Sequence, residues 1–181
     1  MKIGNYNIRV KISELSVGEF EDCYTIMNNP DLTPVEKYLD VITYLIKADG
    51  GDTSIVDEMS DDDFFKIIKA FTKTKSTPSF KNKISVDGVD YLAYPKGEKF
   101  VLKARDLATI EKIFMNEKNF YSHLLAVLFK NGDENHYEPN NIKSRADKFR
   151  SLNAADYFKY IIIVSDKVKV KIQSLYDEPT K

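Results

Sequence analysis

Apolar residues recur along most of the chain at helical spacing and alternate in only a few short stretches. Between 34 and 48, Tyr38, Val41, Ile42, Leu45 and Ile46 fall on one face of a 3.6-residue period. Comparable stripes predict helices over 17–28, 61–73, 105–117, 119–130, 143–151 and 154 to about 174. Their starts are legible, because four of them follow a capping residue with an acid three positions later: Ser16 and Glu19, Thr33 and Glu36, Ser60 and Asp63, Asn153 and Asp156. In the first two pairs the hydroxyl can accept from the backbone N–H of the acid while the carboxylate reaches back to the cap's own N–H; in the others the acid at least suits the positive helix end. Pro34 at the first helical position loses no donor that a helix would use. Asp49-Gly50-Gly51 and Asn131-Gly132 are the expected stops.

Alternation at Tyr6, Ile8, Val10 and Ile12 predicts one strand. Residues 84–86 and 89–94 about the pair Asp87-Gly88 predict a hairpin with a two-residue turn, and 100–102 a further pairing strand. Phe20, Leu45, Phe65 and Phe158 are read as core. The fold expected is α+β, mainly helical.

Three blocks of the first half reappear in order in the second. Leu15, Phe20 and Ile26 match Leu102, Leu107 and Ile113; Tyr38, Val41, Ile42, Leu45 and Ile46 match Tyr121, Leu124, Leu125, Leu128 and Phe129; Met59, Ser60, Asp63 and Phe65 match Leu152, Asn153, Asp156 and Phe158. With insertions falling between helices, the chain reads as two related strand-plus-three-helix halves, the second opened by the hairpin. The first occupies 1–73; a polar linker follows over 74–81; the second half and its long last helix run over 82–176; a tail covers 177–181.

Composition narrows the function classes. With 43 % hydrophobic and 30 % charged residues the chain is ordinary for a folded protein, and at 181 residues it can bury about 70 % of its unfolded surface. Twenty-seven basic against 28 acidic residues, net −1, give no general field to gather phosphate or anionic lipid, so nucleic-acid affinity is expected to be weak at most. The longest apolar run, Ile161 to Val164, is far short of the roughly 18 residues that span a bilayer. Met1 to Asn5 open no apolar signal region, so cytoplasmic synthesis is expected.

Catalytic constellations are missing from the sequence. The single Cys23 has no disulfide partner, and beside Phe20, Tyr24 and Met27 it suits a small buried hydrophobe. His123 reads as a helix-surface residue and His136 as a loop residue; no HExxH, paired Cys, EF-hand loop, GxSxG, GxGxxG or GxxxxGK[ST] accompanies them. Asp61, Asp62 and Asp63 complement a helix dipole and are not needed as metal ligands. Lys73, Lys75, Lys81 and Lys83 beside Phe80 form the one locally basic stretch. No catalytic, cofactor or metal site is therefore assigned, and the chain is expected to be non-enzymatic. Eleven Tyr and eleven Phe exceed what one core needs, so some of Tyr6, Tyr24, Tyr91, Tyr94, Tyr121 and Tyr137 are expected at a contact surface.

The string Leu15-Ser16-Val17-Gly18-Glu19-Phe20, followed by Leu32-Thr33-Pro34-Val35-Glu36-Lys37-Tyr38-Leu39 and by Val56-Asp57-Glu58-Met59-Ser60, resembles small virion and tail-assembly proteins of tailed bacteriophages, crAss-like phages of gut Bacteroidetes in particular. The resemblance covers about residues 12 to 71; in the second half Arg105 stands where the pattern has Gly18, and Leu152 where it has Met59. It implies a structural or packaged cargo protein of the virion, with no catalytic residue to carry over. Its partners would be phage capsid, portal or tail proteins, or further copies of itself. The alternative it implies is a tail-assembly chaperone that remains outside the particle. The chain would be made in the host cytoplasm and, if structural, end in the virion.

Overall fold

A computed structural model describes residues 2, 3, 6–73, 81–93, 103–116, 120–132, 137–158 and 160, with backbone alone at 2, 3, 6, 72, 73 and 116. The chain is α+β and mainly helical. Two-residue strands β1 (Lys2–Ile3) and β2 (Tyr6–Asn7) precede a 3-10 turn (Ile12–Glu14) and helices α1 (Val17–Met27), α2 (Pro34–Ala48), α3 (Ser54–Asp57) and α4 (Asp61–Lys73). The hairpin β3 (Lys83–Val86) and β4 (Val89–Ala93) then leads to α5 (Ala104–Asn116), α6 (Phe120–Leu128), β5 (Phe129–Lys130) and α7 (Pro139–Phe149). A last helix, α8, opens at residue 154 and is described to 158.

The caps form as their residue types dictate. Ser16 Oγ accepts from Glu19 N at 3.2 Å while Glu19 accepts from Ser16 N at 2.8 Å. Thr33 and Glu36 repeat the exchange at 3.4 and 2.7 Å. Ser60 Oγ caps Asp63 N at 3.2 Å. At α8 the capping bond goes to Ala155 N, 3.0 Å from Asn153 Oδ1, and Asp156 instead pairs with Lys81. Asp87 and Gly88 both take positive φ, 53° and 74°, as a two-residue hairpin turn requires.

Several elements differ from the expectation. The alternation over 6–12 yields only β2: Ile8 and Val10 are buried against α2 and α4 without a ladder, and Ile12 opens the 3-10 turn. Alternation there reports a buried side, not a sheet. The expected strand over 100–102 lies outside the described residues, and β4 takes its second neighbour from β5, pairing Ala93 with Phe129 and Leu92 with Lys130. Helix α6 consequently stops at Leu128, two residues before the expected end, because the open edge of the hairpin takes up the next backbone groups. Helix α7 starts at Pro139, four residues earlier than its apolar stripe suggested, with proline at a first-turn position. The linker segment 74–80 lies outside the described residues.

Side chains gather in three clusters. The largest joins the hairpin, α5, α6, α7, Tyr157 and Tyr160, and it includes Val17 of α1. A second joins Ile8, Val10, α2 and α4; a third joins Leu15, Cys23, Val41 and Leu45. Helix α6 is buried on every side from Ser122 to Leu128, as a helix apolar all round must be. His123 lies in that stretch, 8 % exposed, which corrects its reading as a surface residue: the period placed it beside Leu124, and both faces of this helix are covered. Phe65, read as core, is 63 % exposed, whereas Phe64 is 8 % exposed. The buried face of α4 runs Phe64, Ile67, Ile68 and Phe71, and Phe65 falls off it.

Helix α1 packs on α2 and also on α6, and α5 packs on α6. The halves are also stitched together. Val17 N donates to Leu152 O at 2.7 Å, Gly18 N to Arg150 O at 2.9 Å, and Ala154 N to Leu15 O at 2.9 Å. Two orphan donors of the first turn of α1 are thereby satisfied by the chain leaving α7.

Candidate binding cleft

Helix α1 presents Phe20, Cys23, Tyr24 and Met27 at positions i, i+3, i+4 and i+7, a single stripe. This stripe forms one wall of an open cleft of about 330 Å³. Tyr38 and Val41 of α2, Phe71 of α4, Val10, Ile12 and Leu15 of the entering segment, and Phe158 of α8 complete the lining. An aromatic cluster braces the α1 side. Phe20 meets Phe158 edge-on at 5.5 Å and Tyr121 at 5.2 Å, and Tyr24 meets Tyr121 edge-on at 5.2 Å. Tyr24 is 46 % exposed at the rim. Of the tyrosines expected at a contact surface, Tyr24 is exposed and Tyr91 is buried against Phe149. Tyr94 and the side chain of Tyr6 lie outside the described residues.

The opposite face of α1 is polar and held from behind. Glu21 is 2 % exposed, accepts from Ser122 N, and accepts from Arg150 Nη1 at 2.7 Å. Arg150 Nη2 also reaches Asp22 at 3.0 Å, and the Tyr44 hydroxyl donates to Asp22 at 2.7 Å. Burial raises the Glu21 carboxyl above the usual carboxylate range, against the lowering influence of Ser122, Arg150 and His123. Gly18 makes this clasp feasible, since a Cβ there would stand 3.1 Å from both Cβ and Nε of Arg150. Arg9 secures the entering segment through Glu19 at 2.6 Å and Asp49 at 2.8 Å.

Arg105 lies over the Tyr137 ring at 4.6 Å. The neighbouring Asp106, 1 % exposed, accepts from Lys130 at 2.5 Å and from the Tyr137 hydroxyl at 2.9 Å.

Cys23 is buried in the cleft wall, and burial, reinforced by the charges of Asp22 and Glu19, pushes its thiol up to about 12. A thiol so protonated is a poor nucleophile at neutral pH. Asp63 pairs with Lys66 at 2.9 Å, and among the described residues no three His, Cys, Asp or Glu are grouped to share a metal ion. His136 lies outside the described residues. Of the basic stretch, Lys81 pairs with Asp156 and Lys83 with Asp90; Lys75 and the side chain of Lys73 lie outside the described residues. Among the described residues no helix is long and apolar enough to cross a membrane.

The cleft and its clasp were not foreseen. The α1 stripe was visible in sequence, but its completion by Phe71 and Phe158 depends on contacts between residues far apart in the chain. Comparison with protein-family models, curated proteins and solved structures finds no match.

Proposed function

We propose that the chain is a non-enzymatic protein-binding component of a tailed-phage particle, structural or packaged as cargo, which meets its partners through the cleft on α1. The observation that carries the binding part of this reading is an open apolar cleft with an exposed aromatic on its rim, held on a buried charged clasp. Apolar concavities flanked by tyrosine are favourable anchoring places for partner side chains. The phage part rests on the motif series between residues 12 and 71. Its partners are then capsid, portal or tail proteins or a second copy, and its place is the host cytoplasm followed by the virion. Nucleic acid is a poor partner, since Lys81 and Lys83 are already engaged with acids.

The same cleft favours one second reading, a tail-assembly chaperone that covers an apolar segment of a partner and then departs. Quantitative mass spectrometry of purified particles separates the two. A fixed copy number per particle supports the virion component; presence only in infected-cell lysate, bound to a tail protein, supports the chaperone. Retention on DNA at about 150 mM salt without a protein partner would overturn both, because contacts that rest on a few phosphates fade at that ionic strength.

A further inference from the structure

We infer that Asn131 is a site of spontaneous deamidation, where the folded chain converts its own side-chain amide to a carboxylate through a cyclic imide with the backbone nitrogen of Gly132. The reaction needs no partner and does not depend on the cleft.

Ring closure demands a nitrogen that is uncrowded and unbonded. It joins the backbone nitrogen of the next residue to the asparagine Cγ, so a side chain on that residue stands in the way and a proline there has no N–H to lose. A hydrogen bond already made by that N–H must first break. Gly132 meets each condition. It is exposed in a turn after β5, and a Cβ built on it would meet nothing within 4 Å. Among the described residues its N–H donates to no acceptor.

The other described asparagines each fail a condition. Asn29 precedes Pro30, and Asn7, Asn82, Asn116 and Asn140 precede residues with side chains. The N–H after Asn28 is bonded to Ile26 O at 3.1 Å, that after Asn141 to Glu138 O at 3.0 Å, and that after Asn153 to Leu15 O at 2.9 Å. Sequence marks Asn131-Gly132 as the one Asn-Gly pair, and the fold leaves its nitrogen available.

The steps balance without a cofactor. Hydroxide takes the Gly132 N–H proton, the nitrogen bonds to Asn131 Cγ, and the Cγ–Nδ2 bond breaks. Ammonia leaves with a proton from water, which restores the hydroxide. Water then opens the succinimide ring. Attack at Cγ breaks the new Cγ–N bond and gives aspartate; attack at the Asn131 backbone carbonyl breaks its bond to Gly132 and leaves isoaspartate, with the chain running through the side chain. Either product adds a negative charge to a chain of net charge −1, next in sequence to Lys130, whose ammonium holds the buried Asp106 at 2.5 Å. Isoaspartate also lengthens the backbone by one carbon directly after the Leu92–Lys130 pair that ends the β4–β5 ladder.

The purified full chain is aged in mildly alkaline and in mildly acidic buffer, each with and without urea. Tandem mass spectra of its digest place every amide-to-acid mass gain, and labelling by a protein isoaspartyl methyltransferase reads the isoaspartate. In the folded chain the gain is expected at Asn131 ahead of every other described asparagine, faster in the alkaline buffer and at a rate comparable to that in urea. Gly132→Val crowds the nitrogen at a position outside the left-handed region where an added Cβ touches nothing, so the fold is kept and both signals are expected to be lost. An Asn131 that stays an amide in the folded chain, whether or not it converts in urea, would overturn the assignment. Conversion that persists unchanged in Gly132→Val would also overturn it, because the amide would then be hydrolysed directly and the nitrogen of residue 132 would have no part.

Discussion

Replacing Arg150 by alanine tests the clasp behind α1 directly. The change removes the 2.7 Å bond to Glu21 and the 3.0 Å bond to Asp22. These losses are unequal. The Asp22 side chain is 36 % exposed, so that arm contributes about 0–1 kcal/mol. The Glu21 side chain is 1 % exposed and would keep Ser122 N as a donor but no cation, and breaking such a buried pair costs about 3–5 kcal/mol. Urea unfolding at pH 7 should therefore show Arg150→Ala destabilised by about 3–5 kcal/mol. In a Glu21→Gln background the same substitution should cost about 1 kcal/mol, because a neutral amide is left in place of a stranded charge. A loss below about 1 kcal/mol in the otherwise unaltered protein, or the same loss with and without Glu21, would refute the reasoning.

Three further outcomes are expected. Phe64→Ala should cost about 3–5 kcal/mol and Phe65→Ala less than about 0.5 kcal/mol by thermal or urea unfolding, and equal losses would show that the face of α4 has been misassigned. Cys23 should react slowly with thiol reagents in the folded protein and rapidly in denaturant, with the folded rate climbing as the pH approaches about 12; a fast rate at pH 7 would contradict its burial. Stability should rise as the pH falls from neutral, because the folded state holds a proton on Glu21 above the ordinary value of 4.5. It should then fall below about that value. Burial lifts Glu19, but its hydrogen bonds with Arg9 and Ser16 outweigh that lift, leaving it lowered and its contribution lost on acidification. Glu21→Gln should flatten the rise and leave the acid-side loss; a rise that survives the substitution would place the titrating group elsewhere.

What could be read from sequence was local. Ser16, Thr33 and Ser60 each bond the backbone of a residue three positions on, so the starts of α1, α2 and α4 required no knowledge of the rest of the fold. The hairpin was equally accessible, since its turn is set by Asp87 and Gly88. The errors arose where distant chain decides. Phe129 and Lys130 fit the helical period but pair with β4, and Ile8 and Val10 alternate but are buried by α2 and α4. His123 carries no local mark of burial; α6 is covered because the other helices and the hairpin surround it. Glu21 and Arg150 belong to the same class, as nothing at either position announces a pair separated by so much chain.

Helix α1 joins the two levels of the argument. It has 11 residues, too few for an isolated helix to be stable in water, so it depends on what its faces touch. One face gives Val17 to the main core and Glu21 to Arg150; the other gives Phe20, Cys23, Tyr24 and Met27 to the cleft. Because both sets hang on one short element, releasing Arg150 frees the wall of the cleft as well as the charge behind it. Arg150 stands outside the cleft lining, so its substitution leaves every lining side chain in place. Arg150→Ala, under conditions where the protein remains folded, should therefore speed the alkylation of Cys23 by a neutral maleimide through a change in the position of α1, and an unchanged rate would show that the clasp sets the stability of the fold and not the shape of the cleft.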